Sequence, residues 1–527
     1  MRTMSELAAT MASVASVVAL ACLTVACGGT VAPAGDAGVD APPGADGGAP
    51  DAPAADAPPV DAPGPDAPAA DSGVAGVGYF VALTGSDTSG DGTAGNPWRT
   101  IDHALSQVSG GDLILVRPGT YDGRVHLDEA FATPVTVRAE VPYQVRLRHT
   151  DTVVTCNYGQ GIVLEGFDIA HAGPGAGALV VQIQDLRGTQ PGCADGDCVS
   201  RITLRNNVIH DSYDNDILKI NNGAADVLVE GNMLYNQNGS DEQMDINSVT
   251  DVIIQDNVLF NDFAGSGRAN LSDTSGFVVI KDSNGTSDSN LGALRITVRR
   301  NVFLHWEGGT GHGFVQVGED ATANYEAQQV LIENNLMIGD GTDTMRAAFA
   351  VMGSNDITFR NNSVVGDLPS LAWLRVYRVG ANQPSNDIFI YNNVFADTGG
   401  TMDDFSDSPP GEVARWALAS NLYWNDGAAI PASGAETINY TDDAARVLGD
   451  PCIGAPGALV VPRWSETAGQ FADGSATIRA AFLGLVARHG TPGACATVDA
   501  ADPTRASAED ILGRARGAAP DLGALER

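Results

Sequence analysis

The sequence predicts an all-β solenoid, a parallel β-helix with a helical cap at its N-terminal end. Three observations carry this. First, a short phrase recurs from Ile202 to Phe395: an alternating apolar run, an Asn, and a further apolar pair. It reads I-T-L-R-N-N-V-I at 202–209, V-L-V-E-G-N-M-L at 227–234 and V-I-I-Q-D-N-V-L at 252–259, and returns at 296–303, 330–337, 357–364 and 388–395. Alternation of period two marks a strand. Second, the Asn residues at 207, 232, 257, 301, 335, 362 and 393 are spaced by 25, 25, 44, 34, 27 and 31 residues. A unit of about 25 residues with insertions means stacked coils. Third, a stretch of helical spacing lies ahead of the repeat.

That stretch opens the folded region. Tyr79–Asp87 reads as a strand running into a Gly/Ser/Asp turn, and Ile101, Ala104, Leu105 and Val108 follow at helical spacing. Asp102 in the first turn complements the helix dipole, and Gly110-Gly111 ends the helix. A helix here covers the open edge of the first coil, which would otherwise pair with other chains. Asp112–Tyr121 then reads as a strand and turn. The run G-S-D (85–87), P-W-R-T-I (97–101), Ala104, G-D (111–112) and G-T-Y (119–121) resembles the opening of secreted right-handed parallel β-helix proteins of the pectate-lyase-like superfamily, family-nine polysaccharide lyases among them. The resemblance implies right-handed coils. Other coils are expected at 135–140, at 161–169 and, more weakly, at 416–424. The recurring Asn reads as a corner residue, suited to left-handed turns and to hydrogen-bonded stacking. The β-helix is assigned to 78–430. Residues 431–527 are assigned to the last coil and a loop-rich C-terminal cap, with a helix over Ala476–Arg488. The ending G-R-A-R-G-A-A-P-D-L-G-A-L-E (513–526) resembles that of many such proteins.

The first 26 residues read as targeting. Arg2 supplies the charge, Met11–Leu23 the apolar run, and L-T-V-A-C the processing site. This resembles a bacterial lipoprotein signal, which makes Cys27 the lipidated first residue of a protein on the outer membrane or cell surface. No later segment is long and apolar enough to cross a bilayer. Residues 27–77, rich in Ala, Pro, Gly and Asp with a D-A-P beat, cannot bury enough apolar surface to order and read as a stalk. A net charge of −36 argues against nucleic acid as a partner. In an oxidising compartment Cys193 with Cys198, and Cys452 with Cys495, can form disulfides, leaving Cys156 as a buried thiol. Zinc is the alternative at Cys193 and Cys198. The chain is expected to be monomeric.

Aligning coils through the Asn phrase stacks Asp216–Asn221 on Glu242–Asn247. With Ile220 and Ile246 pointing inward, Lys219 and Asp245 point outward about 4.8 Å apart. Asn221 and Asn247 form the next outward pair, and Lys281 joins their column if Ile280 faces in. Asp214, Asp216, Asp241, Glu242 and Asp245 lie in or beside the acidic turns that lead into these strands. The chain has 27 Arg but only two Lys, Lys219 and Lys281, and both fall on this patch. A lysine can lose its proton near working pH where an arginine cannot.

Such a set suits cleavage of an acidic, uronate-containing polysaccharide by β-elimination. A hard cation neutralises the sugar carboxylate and a basic side chain removes the adjacent proton. Calcium takes carboxylate and amide oxygens. The resemblance implies the same chemistry, since family-nine lyases use an Asp cluster for calcium and a Lys as base. The expected roles are therefore Lys281 or Lys219 as base, with Arg268 beside them for a substrate carboxylate. Asp214, Asp216, Asp241, Glu242 and Asp245 are the calcium ligands, and Asn221, Asn247, His305, Trp306 and His312 line sugar subsites. The alternatives are a non-catalytic β-helix that binds glycan or other cells, and a metal-independent glycoside hydrolase.

Overall fold

The computed structural model describes residues 78–527, apart from 188–192, 194–195, 240–241, 283–290, 341, 369, 454–458 and 494. The signal and the stalk, Cys27 included, lie outside the described residues, as does Asp241.

The chain winds as a right-handed parallel β-helix with three long faces. Apart from the two ends, each coil contributes one strand to each face. Sheet one has 12 strands, from Gly78–Val81 to Trp416–Ala419. Sheet two has 10, from Val125–His126 to Ser406–Asp407. Sheet three has 12, from Gly119–Asp122 to Val447–Leu448. All pairings within these sheets are parallel, as in Ile202↔Val227↔Val252↔Ile296↔Val330. The apolar positions of the repeat fill the interior, where Ile202, Val229, Ile254 and Val298 are fully buried.

The helix at the N-terminal end spans Ile101–Gln107. The Thr100 side chain caps it by accepting from the His103 N–H, and Ile101, Ala104 and Leu105 are buried against the first coils. Asp102 also ties the helix to the first coil, since its Oδ1 accepts from the His126 N–H at 3.0 Å.

The repeated Asn residues form a ladder at the corner between sheets one and three. Asn257 is typical. Its Oδ1 accepts from the Asn232 N–H (2.8 Å), and its Nδ2 donates to the Val229 carbonyl and to Asn301 Oδ1, both at 2.9 Å. The left-handed backbone position is the residue before each ladder Asn: Asn206, Gly231, Asp256, Arg300, Asn334, Asn361, Asn392 and Ser420 all have φ near +55°. The ladder ends on Asp443, whose Oδ2 accepts from both Asn421 nitrogens. Replacing Asn257 with Ala orphans two buried backbone groups of the preceding coil, the Asn232 N–H and the Val229 carbonyl. It is expected to cost about 2–6 kcal/mol at 1–3 kcal/mol per unsatisfied group, read as a lower urea midpoint.

The C-terminal region differs from a terminal cap. The last coil ends at Val447–Leu448, and the chain then runs back along the outside of sheet three. Trp464 and Phe471 pack on Tyr143. Glu466 pairs with Arg146 and Arg148, and Arg463 with Asp262. Farther along, Arg300 meets Glu509, and the Ser507 N–H donates to Asn361. The Gly523 N–H reaches the Asn392 carbonyl. The physical reason is the outer side of sheet three, which carries Val208, Met233, Tyr235, Val258, Phe260, Val302, Leu336 and Val394. These apolar side chains are buried with Ile478, Phe482, Leu485 and Leu525 of the returning segment. Its helix spans Ile478–Leu485 and continues as a π-helical turn over Val486–Gly490, close to the expected 476–488. Cys193–Cys198 and Cys452–Cys495 are disulfides, so the zinc alternative falls, and Cys156 is a buried free thiol.

Candidate functional site

The outer side of sheet two carries the site. Its register pairs Lys219 with Asp245 and Asn221 with Asn247 across adjacent coils, and then Asn247 with Lys281. The inward partners Leu218, Met244 and Val278, with Ile220, Ile246 and Ile280, are buried core. Alternation along the strands therefore sends both lysines and Asp245 to the same outer wall.

Asp216, Glu242 and Asp245 converge there. One carboxylate oxygen of each lies within 4.8 Å of the others, and all three residues are buried. Asp216 stands just before its strand, and its Oδ1 accepts from the Glu242 N–H at 3.1 Å, fastening one coil to the next. By strict alternation Glu242 belongs inside with Met244 and Ile246. As the first residue of its strand it instead reaches the outer wall, where Oε1 accepts from Lys281 Nζ (3.0 Å) and Ser275 Oγ (3.3 Å).

Both lysines are embedded in this acid. Lys219 Nζ bonds Asp245 Oδ2 and lies 3.7 Å from Asp216 Oδ2. Lys281 Nζ lies 2.6 Å from Glu319, 3.0 Å from Glu242, 3.8 Å from Asp245 and 3.9 Å from Asp320. Five carboxylates thus face two ammonium groups. Burial, then Glu242 and Asp245, pushes the Asp216 carboxyl well above its usual range. Burial also raises Asp245, with Glu242 adding to it. Glu319 rises to about 8, chiefly by burial and then by Glu242. Burial opposes charge on Glu242 as well, but Lys281 and hydrogen bonding outweigh it and hold Glu242 below its usual value. At Lys281 burial favours the neutral amine, yet Asp245, Glu242 and Glu319 overcome it and keep the proton on.

This surplus of buried negative charge fits a hard divalent cation. Asp216 Oδ2 and Asp245 Oδ1 are buried without a hydrogen-bond donor, as is Asn221 Oδ1. Oxygen-only donors of this kind suit calcium and not zinc. Asn247 is buried beside them, its Oδ1 accepting from Ser248 Oγ.

Other expected site residues lie elsewhere. Asp214 Oδ2 accepts from the Ala178 N–H and holds a turn, so it is not among the converging ligands. Arg268 is spent on structure. It donates to Asp211 Oδ1 (2.6 Å), to the Asn236 carbonyl (3.0 Å) and to the Ser212 carbonyl, and it lies 4.0 Å over the Tyr213 ring. Asp211 in turn supports the buried His210, which Asp168 bonds from the other side. Trp306 is core, packed on Phe277 and Phe314, and offers no sugar platform. His305 follows a sheet-three strand. Burial disfavours its charge, but hydrogen bonds to Asp340 and Glu307 carry it up to about 10. His312 does border sheet two, directly ahead of Gly313–Val317, and burial holds its imidazole below the usual value, with Glu242 opposing and Arg375 adding to the effect.

Glu319 and Asp320, too generic in the sequence to single out as site residues, belong to the cluster. They follow the strand Gly313–Val317, and the Ile280↔Val317 pairing brings them beside Lys281. Buried Glu326 fixes their turn by accepting from both backbone N–H groups, at 2.6 and 2.8 Å. The rung count one coil beyond Lys281 reaches Gly318, and they are the next two residues.

A family model described as "Protein of unknown function (DUF1565)" matches residues 83–145. No curated protein matches the sequence. Among solved structures, the chain is similar to the pectate lyase Pel9A, at 15% identity and a TM-score of 0.48, over 86% of this chain and 96% of that one. It is also similar to a GH136 lacto-N-biosidase from Eubacterium ramulus, at 12% identity and a TM-score of 0.45, over 70% and 66%. A third is an alginate lyase from Paenibacillus sp. str. FPU-7, at 13% identity and a TM-score of 0.38, over 69% and 99%. The likeness is one of fold.

Proposed function

We propose that the protein is a polysaccharide lyase that cleaves an acidic, uronate-containing glycan by calcium-assisted β-elimination. The observation that carries this is the placement of Lys281 Nζ among Glu242, Asp245 and Glu319, beside buried carboxylate oxygens that lack a donor. Asp216, Glu242 and Asp245 would hold the cation, which when bound neutralises the sugar carboxylate and acidifies the neighbouring proton. Lys281 takes that proton. With Glu242 and Asp245 engaged by the cation, only Glu319 and Asp320 would still favour its charge, and burial, which favours the neutral form, would oppose them. Lys219, more exposed and paired with Asp245, orients that carboxylate from the other side. Cys27 and the stalk would tether the enzyme to the cell surface, facing outward.

The test is incubation with polygalacturonate or alginate. Release of an ultraviolet-absorbing unsaturated uronide, abolished by chelator and restored by calcium, is the expected result. Binding without turnover would select the non-catalytic reading. Chelator-insensitive release of saturated reducing ends would select the hydrolase.

A further inference from the structure

The lyase reading leaves one difficulty, and the same wall of the molecule answers it. An acidic protein must hold an acidic polymer, and Arg268, the expected partner for a sugar carboxylate, is consumed by Asp211 and two backbone carbonyls. The outward column that begins with Lys219 and Asp245 continues through Val279, Gln316 and Ala350 to Arg375. The three residues between the acid cluster and Arg375 are uncharged. Four rungs separate Asp245 from Arg375, about 19 Å at the spacing of paired strands.

Arg375 is built into place. Its guanidinium lies 3.6 Å over the Tyr377 ring, and its Nη1 approaches the Gly311 carbonyl at 3.4 Å. Tyr377 reaches back along the wall until its hydroxyl lies 3.4 Å from Gln316 Oε1. Arg346 stands beside it, and both guanidiniums converge on Asp407 Oδ2, Arg346 Nη2 at 2.6 Å and Arg375 Nε at 2.9 Å. Two cations share one carboxylate, so the group carries a net positive charge on a strongly negative chain. The side chains of Arg346 and Arg375 are 33% and 22% exposed, enough for a ligand to reach them.

We infer that Arg375, stacked on Tyr377 and backed by Arg346, is a subsite for a carboxylate of the acidic glycan, several sugar units along from the lysines. The inference rests on the lyase reading for its ligand class and deepens it. A guanidinium presents a planar fork that matches a carboxylate, and Tyr377 and Asp407 pre-set its orientation. A polymer with a carboxylate on each unit can then touch the cluster and the arginine at once.

The experiment is retardation of the protein in native gels containing polygalacturonate, with dextran as the neutral control. Wild type is expected to be retarded by the polyuronate alone. Arg375→Gln is expected to weaken that retardation about tenfold, the size of one lost charge-assisted hydrogen bond, and to flatten its salt dependence. Arg375→Lys, which keeps the charge but loses the fork, should restore only part and serves if the Gln variant does not fold. A purely structural role would lower the unfolding midpoint and leave the salt dependence of binding unchanged. Retardation of Arg375→Gln equal to wild type overturns the inference, as does a wild type that no polyuronate retards. Lys281→Ala separates the two readings. If no protein releases unsaturated product while Arg375→Gln alone loses retardation, the lyase reading fails and the subsite stands.

Discussion

Replacing Lys281 with Ala is expected to lower the rate of unsaturated-product release by about 10²–10⁴-fold, the range a positioned general base contributes. Lys281→Arg should be nearly as inactive. A guanidinium keeps the charge among Glu242, Glu319 and Asp245 but cannot give up its proton in a protein. The pair of variants is therefore more informative than either alone. Ala removes both the base and the ion pairs, whereas Arg removes chiefly the base. Initial rates at saturating calcium, with circular dichroism to confirm the fold, check this. An Arg variant that keeps more than about a tenth of the activity, where loss of a base predicts far less, would move the role from Lys281 to Lys219, which pairs with Asp245 one coil away from it.

The second large effect concerns pH and calcium together. Asp216, Asp245 and Glu319 hold protons more tightly in the folded chain than their ordinary values of 3.8, 3.8 and 4.5. Above those values the folded state binds more protons than the unfolded one, so stability falls as pH rises through the window, up to about 8 for Glu319. Glu242 acts with the opposite sign. Its pKa is depressed, so its contribution is present above 4.5 and is lost only as pH falls below that. In the cation-free protein the cluster should therefore weaken the fold at about pH 8 relative to about pH 5. Calcium at a hundred times its dissociation constant should return about 2.7 kcal/mol, and less at the lower pH, where protons compete for the ligands. Asp216→Asn should raise the cation-free melting temperature at about pH 8 and remove most of the calcium-induced rise. A melting temperature indifferent to calcium at that pH would count against the site.

The fold and much of the site can be read from the residues because strand geometry is arithmetic. Counting by twos from Ile220, Ile246 and Ile280 puts Lys219, Asp245, Asn247 and Lys281 on one wall, and the register of sheet two does the same. The arithmetic fails where periodicity does. Glu242 breaks it at the first residue of a strand. Trp306 and Arg268 lie in insertions, where contacts between coils decide what a side chain touches. A loop Trp beside Phe277 and Phe314 becomes core, and a loop Arg above Asp211 becomes a brace. Asp214 lies in a turn, and the Ala178 N–H of the preceding coil claims its carboxylate. The returning segment after Leu448 has no repeat to follow. Its position depends on the apolar outer side of sheet three, whose Tyr235 and Phe260 look like ordinary inward residues in the sequence. Arg375 was hidden because it lies four rungs from the acids, in a strand whose sequence carries no Asn phrase.

That returning segment changes how the rod can come apart. In a plain stack each rung is held only by its two neighbours, and opening can begin at either end and travel. Here residues 463–525 are sewn lengthwise across the stack, touching it from Tyr143 to Asn392. These residues come after every rung they touch in the chain, so the seam closes over strands that all precede it. To loosen one rung the seam must lift from many. The molecule should therefore melt in a single steep transition and resist proteases along most of its length, where an unsewn stack of the same coils would ravel.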